Sequence, residues 1–135
     1  MTNDALSREP SQIVQRQLDA YNARDIDALM SCFAEDAQVF AHPSELLASG
    51  AEQIRERHVA RFKESNLHAR LLHRTAVGNL VVDHEEVTRT FAEGPGRVEV
   101  IAMYEVEGEK IRKAWIRMGT PVLDGHLAKG SDAGA

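Results

Sequence analysis

Hydrophobic residues near the start of the chain recur at the spacing of an α-helix. Val14, Leu18 and Tyr21 lie at positions i, i+4 and i+7, and Pro10 suits the first turn of a helix. This pattern predicts a helix over residues 10–23, with one apolar stripe that packs against the rest of the protein.

A second helix and a short strand are predicted next. Asp25 can serve as an N-cap, and the helix that follows has an apolar face of four residues: Ile26, Leu29, Met30 and Phe33. The segment AEDAQVFA is then predicted to form a short strand. It is expected to end at His42, because the residue before a proline is restricted and Pro43 cannot donate to a sheet.

A third helix is predicted from about Ser49 to Glu64. Ser49 and Glu52 have the spacing of a capping box. One side of this charged helix carries residues at i, i+4 and i+8: Ile54, His58 and Phe62. His58 could be a core histidine bonded to Gln17 or to a backbone carbonyl, or a polar group that faces a ligand, and the two interpretations are compatible.

From His68 onward the pattern is that of β-strands. Strands are predicted over residues 68–77, 80–92, 97–106 and 111–119, and the turns between them contain Gly78-Asn79, EGPGR and EGEK. Three helices followed by an antiparallel meander define an α+β fold in which the helices cover one face of the sheet.

Length and composition fit one soluble domain of 135 residues. We expect a flexible N-terminus over residues 1–9, a single domain over 10–120 and a flexible tail over 121–135. Sixteen basic and 21 acidic residues give a net charge of −5, which argues against nucleic acid or a membrane as partner. A single cysteine, Cys32, and the lack of a secretory signal favour the cytoplasm.

The segment VVDHEEV places four titratable residues in the middle of a predicted strand. Side chains alternate between the faces of a strand, so Asp83 and Glu85 share one face and His84 and Glu86 the other. The alternation does not decide which pair points inward, because Val81 and Val82 leave both faces apolar at the start of the strand. A carboxylate inside a pocket could act as a general base.

Structural ion pairs are the alternative explanation for these acids. Cross-strand partners are available in four arginines: Arg70, Arg74, Arg89 and Arg112. The histidines His68, His73 and His84 do not have a zinc-binding spacing, and no metal or cofactor is expected.

Three segments together resemble a known superfamily. YNARDIDALMSCFAEDAQVFAHP, SGAEQIRERHVARF and the strands that end in EGEKIRKAWIRM are similar to the nuclear transport factor 2-like superfamily, in its SnoaL-like and steroid delta-isomerase-like branch. The resemblance covers about residues 10–118. It implies a cone-shaped, curved antiparallel sheet packed around the N-terminal helices (a cystatin-like half-barrel), an internal pocket, and frequent dimers formed through the outer sheet face.

The functional residues of ketosteroid isomerase do not carry over to this sequence. The resemblance places Gln17 at that enzyme's helix-one tyrosine, Ala41 or His42 at its base, and Ala102 at its second oxyanion donor. Ketosteroid isomerase activity is therefore not expected. Two other pocket positions have counterparts, since tyrosines of that enzyme fall at His58 and Phe33.

The resemblance also implies which strand residues line the pocket. Tyr104 and Ala102 point inward, as do three residues of the last long strand: Ala114, Ile116 and Met118. Alignment through the EGPGR turn also points Asp83 and Glu85 inward, whereas a shift of one residue would point His84 and Glu86 inward instead. His42 is expected near the pocket mouth. Trp115 then lies on the outer face with Lys113 and Arg117, which favours a homodimer with Trp115 at the contact.

Three functions remain open at this point. The domain could bind a small apolar or carbonyl-containing molecule without reacting with it. It could be an isomerase- or cyclase-like enzyme in which Asp83 or Glu85 moves a proton while His58 or Tyr104 donates a hydrogen bond to an oxyanion. It could also be a non-catalytic dimerisation domain whose interior is filled by side chains.

Overall fold

The computed structural model describes residues 9–125. Residues 1–8 and 126–135, most of the predicted N-terminus and tail, lie outside the described residues. Within residues 9–125 there are three helices: α1 Pro10–Ala23, α2 Ile26–Met30 and α3 Ala51–Arg61. The same part of the chain forms seven strands: β1 Phe33–Ala41, β2 Glu45–Ser49, β3 His68–Val77, β4 Leu80–Phe91, β5 Gly94–Glu107, β6 Lys110–Met118 and β7 Val122–Leu123.

Helix α1 forms where the periodicity predicts it, whereas α2 is shorter than predicted: it ends at Met30, and Phe33, expected on its apolar face, is the first residue of β1. Pro10 occupies the first turn of α1, and the stripe containing Val14 and Leu18 is buried. Asp25 caps α2, and its carboxylate accepts a hydrogen bond from the backbone N–H of Ala28 at 3.1 Å. The predicted N-cap is therefore confirmed.

Helix α3 begins differently from the prediction. Its N-cap is Gly50, with φ of +91°, and no side chain caps the helix. The predicted capping box between Ser49 and Glu52 is wrong, because Ser49 belongs to β2 and pairs with Gln38 of β1. Instead, the side-chain oxygen of Gln53 accepts a hydrogen bond from the Ser49 N–H at 2.8 Å.

The strands form one curved, open, mixed sheet in the order β2-β1-β6-β5-β4-β3, and β7 pairs with β5. The predicted antiparallel meander is present from β3 to β6. The sheet as a whole is not antiparallel, because β1 runs parallel to β6. A parallel pair needs a long crossover, which the chain from β2 to β5 provides. Val122 and Leu123, at the start of the predicted tail, form β7.

Packing of the helices against the sheet creates the interior of the domain. Helix α1 contacts β3, β4, β5 and β6, whereas α3 contacts β1 and β2. The core contains residues of the three helices and of the inner face of the sheet. The most deeply buried of them are Ile13, Val14, Leu29, Ile54, Val81 and Ile111. The space left between the helices and the sheet becomes the candidate site.

Candidate functional site

A cavity of about 110 Å³ lies between α1, α3 and the inner face of the sheet. Nine of the predicted site residues line it: Gln17, Phe33, His58, Glu85, Ala102, Tyr104, Ala114, Ile116 and Met118. Asp83 and His42 do not line it. The wall is largely apolar, with a small number of polar groups directed at the same space, which is typical of small-molecule sites.

Strand β4 places its acids on alternate faces. Asp83 and Glu85 are buried, with 0% and 6% of their surfaces exposed. His84 and Glu86 lie on the other face, where the Nε2 atom of His84 is 2.8 Å from the Glu99 carboxylate. This is the orientation that the alignment through the EGPGR turn implied, in a register that pairs Glu85 with Val100.

Asp83 is part of a buried ion pair and does not face the cavity. The Arg74 guanidinium donates from Nε to Oδ1 at 2.6 Å and from Nη2 to Oδ2 at 2.9 Å. Arg74 also donates to the side-chain oxygen of Gln15 in α1 at 2.8 Å. The ion-pair explanation therefore holds for Asp83, whose two oxygens are both occupied.

Within residues 9–125, Glu85 differs from Asp83 in being a buried acid without a partner. It lines the cavity and makes no hydrogen bond or ion pair within residues 9–125. Burial raises the pKa of Glu85 from 4.5 to about 7, the negative charge of Asp83 raises it further, and the Arg74 charge opposes both effects. Glu85 can therefore hold or release a proton near neutral pH.

Tyr104 and Gln17 are also buried, line the cavity and lack a hydrogen-bond partner in the described part of the chain. Burial raises the pKa of Tyr104 well above its usual value, and the charges of Glu85 and Asp83 add to this shift. The Tyr104 phenol therefore keeps its proton and is available as a donor. Together with Glu85, these side chains give the cavity three uncommitted polar groups.

His58 faces the cavity as a neutral ring. Its Nδ1 atom lies 2.9 Å from the Ile54 carbonyl oxygen, which can only accept, so Nδ1 carries the proton and Nε2 is an acceptor. Burial lowers the pKa of His58, and the charges of Arg61 and Arg57 lower it further, against the opposing effect of the Ile54 hydrogen bond. The structure thus contains the predicted bond to a backbone carbonyl in a residue that also lines the cavity.

Three arginines that line the cavity were not predicted as site residues: Arg57, Arg61 and Arg89. Arg89 is held by Glu64 through two hydrogen bonds of 3.2 and 2.8 Å. Arg57 and Arg61 are four residues apart on α3, a spacing that places them on one side of the helix beside His58. That spacing is the signal that could have indicated them.

The remaining predicted positions lie elsewhere. His42 is exposed, and its Nδ1 atom is 3.4 Å from Arg117 on the outer part of β6. No group of three or more potential metal ligands occurs within residues 9–125. Over the same residues, no helix has the length and hydrophobicity needed to cross a bilayer.

Comparison with known proteins places this fold and cavity in a family. A sequence model described as the SnoaL-like domain matches residues 14–114, and the chain belongs to that family. An uncharacterised cystatin-fold protein of Novosphingobium aromaticivorans is 26% identical, with a TM-score of 0.75 over 80% of this chain and 97% of that one. A proposed polyketide cyclase of Sinorhizobium meliloti is 27% identical, with a TM-score of 0.66 over 77% of this chain and 92% of that one.

A further solved structure supports the fold alone. A protein of Catenulispora acidiphila with a ketosteroid isomerase-like fold, in complex with trimethylamine, is 20% identical, with a TM-score of 0.68 over 78% of this chain and 83% of that one. Curated proteins give no significant match. The family resemblance and fold predicted from the sequence are thereby confirmed, and the function has to be argued from the cavity.

Proposed function

We propose that the cavity binds a small, mostly apolar molecule with a carbonyl group, and that Glu85 transfers a proton to or from it. The observation that carries this proposal is a buried carboxyl group that lines a cavity, has no partner within residues 9–125, and has a pKa raised to about 7. Such a group is a suitable general base because it ionises near neutral pH and is not neutralised by an arginine. The similarity to a proposed polyketide cyclase is consistent with chemistry beside a carbonyl.

Three polar side chains of the cavity have roles beside Glu85 in this proposal. Tyr104 donates a hydrogen bond to the carbonyl oxygen, where negative charge develops when a neighbouring C–H bond gives up its proton. The side-chain amide of Gln17 supplies a second hydrogen-bond donor. His58 accepts through Nε2 and orients the ligand, since its only ring proton is already donated to Ile54.

The cavity volume limits the ligand. About 110 Å³ is of the same order as the engineered cavity of roughly 150 Å³ that binds benzene. A molecule, or an end of a molecule, with about one ring fits this space. A four-ring steroid is larger than this space.

Hydrogen–deuterium exchange tests the proton transfer directly. We expect the protein to accelerate exchange of the α-hydrogens of one-ring ketones such as cyclohexanone, followed by proton NMR in heavy water. Glu85→Gln should slow this exchange at least about 100-fold. The rate should rise as Glu85 ionises, with a midpoint near pH 7.

Glu86→Gln is the matched control, because Glu86 lies on the outer face of the same strand and should not affect exchange. Ligand binding in the absence of any accelerated exchange would support the non-catalytic binding domain instead. Equal exchange rates in the wild type and in Glu85→Gln would refute the assigned role.

We further propose that the domain forms a homodimer through the outer sheet face. A row of cross-strand neighbours on that face is apolar and half-buried: Phe40, Trp115, Met103 and Val82. The rings of Phe40 and Trp115 stack with their centroids 6.0 Å apart. An apolar row across four strands is a surface that a second copy of the chain could cover.

Analytical ultracentrifugation at micromolar concentration tests this second proposal. The wild type should sediment as a dimer, and Met103→Glu should sediment as a monomer because it places a charge in the middle of the row. Val77→Glu, at an exposed position on β3, is the control and should remain dimeric. A monomeric wild type would contradict the proposal.

A further inference from the structure

Three arginines line both the cavity and a neighbouring surface groove. The groove has a volume of about 620 Å³ and runs beside α3, and the residues that it shares with the cavity are Arg57, Arg61 and Arg89. A ligand that extends from the groove into the cavity would therefore contact these guanidinium groups.

The three arginines differ in whether a carboxylate of the protein already binds their guanidinium groups. Arg89 donates two hydrogen bonds to the Glu64 carboxylate, from Nε and Nη2. Arg61 is 3.7 Å from the same carboxylate. Arg57 makes no hydrogen bond or ion pair within residues 9–125, although it is half-buried. Its fork of donors is therefore open toward the cavity and the groove.

The charges that line the groove do not balance. Besides the three arginines, the groove is lined by two carboxylates, Glu64 and the exposed Glu56. One positive charge is left over. Burial lowers the pKa of Arg57, and the charges of Arg61 and Arg89 lower it further, which reflects repulsion between the like charges of the cluster.

Glu85 and Arg89 line the same cavity from one face of β4, four residues apart along the strand, with Val87 between them. Tyr21 also lines the cavity; burial raises its pKa, the charges of Arg61 and Arg89 lower it, and the charge of Glu85 raises it. The cavity wall also contains two further valines, Val39 and Val100. A ligand that suits both Glu85 and the arginines is apolar beside the valines and negatively charged at the arginines.

We infer that the natural ligand is a small monocarboxylate, with its carboxylate held by Arg57 at the groove and its apolar, carbonyl-bearing part directed toward Glu85. The single surplus charge matches one carboxylate, and the planar guanidinium of Arg57 can bind it through two parallel hydrogen bonds. This inference rests on the proposed function for the part directed at Glu85. The carboxylate site itself depends only on the arginines.

Benzoate and benzamide are the probes, because they have the same shape and differ in charge. Isothermal titration of the 135-residue chain should show that benzoate binds at least about tenfold more tightly than benzamide. Arg57→Gln should weaken benzoate binding by about tenfold and leave benzamide binding unchanged. Arg57→Lys should give an intermediate affinity, since lysine keeps the charge and loses the fork.

Arg55→Gln is the matched control. Arg55 lies on the same helix but is exposed and paired with Asp27 at 2.6 Å, away from the cavity, so this variant should bind benzoate like the wild type. Equal affinities for the two probes, undiminished benzoate binding in Arg57→Gln, or no benzoate binding up to about 20 mM would each overturn the inference.

The outcomes separate this inference from the proposed function. If benzoate is preferred and Arg57→Gln abolishes the preference, the carboxylate site stands even when Glu85→Gln has no effect on ketone exchange. If Glu85→Gln abolishes exchange while benzoate and benzamide bind equally, the proton transfer stands and the carboxylate site is wrong.

Discussion

Replacing Arg74 with methionine should lower the free energy of unfolding by about 3–5 kcal/mol. The change leaves Asp83, which is 0% exposed, without the guanidinium that occupies both of its oxygens. A buried carboxylate without its partner costs far more than the lost attraction, because water cannot replace the missing donors. Urea denaturation followed by circular dichroism measures the difference.

Two further variants make this prediction specific to the buried charge. Arg70→Met removes an arginine from the same strand whose partner, Glu86, is on the outer face, and it should cost less than about 1 kcal/mol. The double variant Arg74→Met with Asp83→Leu should recover most of the loss, since no charge is then left buried. A small effect of Arg74→Met, or a double variant no more stable than the single one, would contradict the argument.

The sequence predicted the elements of the fold where the pattern has a clear period. The stripe of α1, the Asp25 cap and the alternation along β4 follow from residue spacing alone, and each is present in the structure. The parallel pairing of β1 with β6 could not be read in the same way, because pairing depends on contacts between distant segments. The short strand β2 has too few residues to show an alternating pattern.

The partner of Asp83 could not be chosen from the sequence for a specific geometric reason. Arg70 and Arg74 are four residues apart, which would place them on the same face of a regular strand. The pairing of β3 with β4 shifts between Leu71 and His73, so Arg70 lies opposite Glu86 while Arg74 lies opposite Asp83. This bulge sends the two arginines to opposite faces and decides that Glu85, not Asp83, is the uncommitted acid.

The cavity arginines were missed because charged residues on a helix usually face solvent. Arg57 and Arg61 lie in the sequence QIRERHVARF, in which three arginines and a glutamate give the helix a strongly charged character. Only the fold shows that the same side of α3 borders both the groove and the cavity. Arg89 comes from β4, and its contact with Glu64, which follows α3, is a long-range contact that no local pattern records.

The raised pKa of Glu85 predicts how stability depends on pH. The folded protein keeps this proton up to about pH 7, whereas an unfolded chain releases it near 4.5. Below about pH 4.5, Glu85 is protonated in both the folded and the unfolded state, so its ionisation does not change the free energy of unfolding. Between the two values the unfolded state loses its proton first, so the free energy of unfolding falls as pH rises, by roughly 3 kcal/mol in total.

Glu85→Gln should remove this dependence, because the amide fills the same space and carries no charge. We expect the variant to be more stable than the wild type at about pH 8, by about 3 kcal/mol, and the difference to shrink steadily toward about pH 4. Urea denaturation of both proteins across this range gives the difference directly, and the titrations of other groups cancel in it.

Glu86→Gln serves as the control for this pH series. Glu86 is on the outer face of β4 and is paired with Arg70 at 3.1 Å, so its removal should produce no gain in stability that grows with pH. A difference between the wild type and Glu85→Gln that stays constant with pH would mean that Glu85 ionises at an ordinary pKa in the folded protein. The cavity would then lack the neutral-range carboxyl group on which the proposed proton transfer depends.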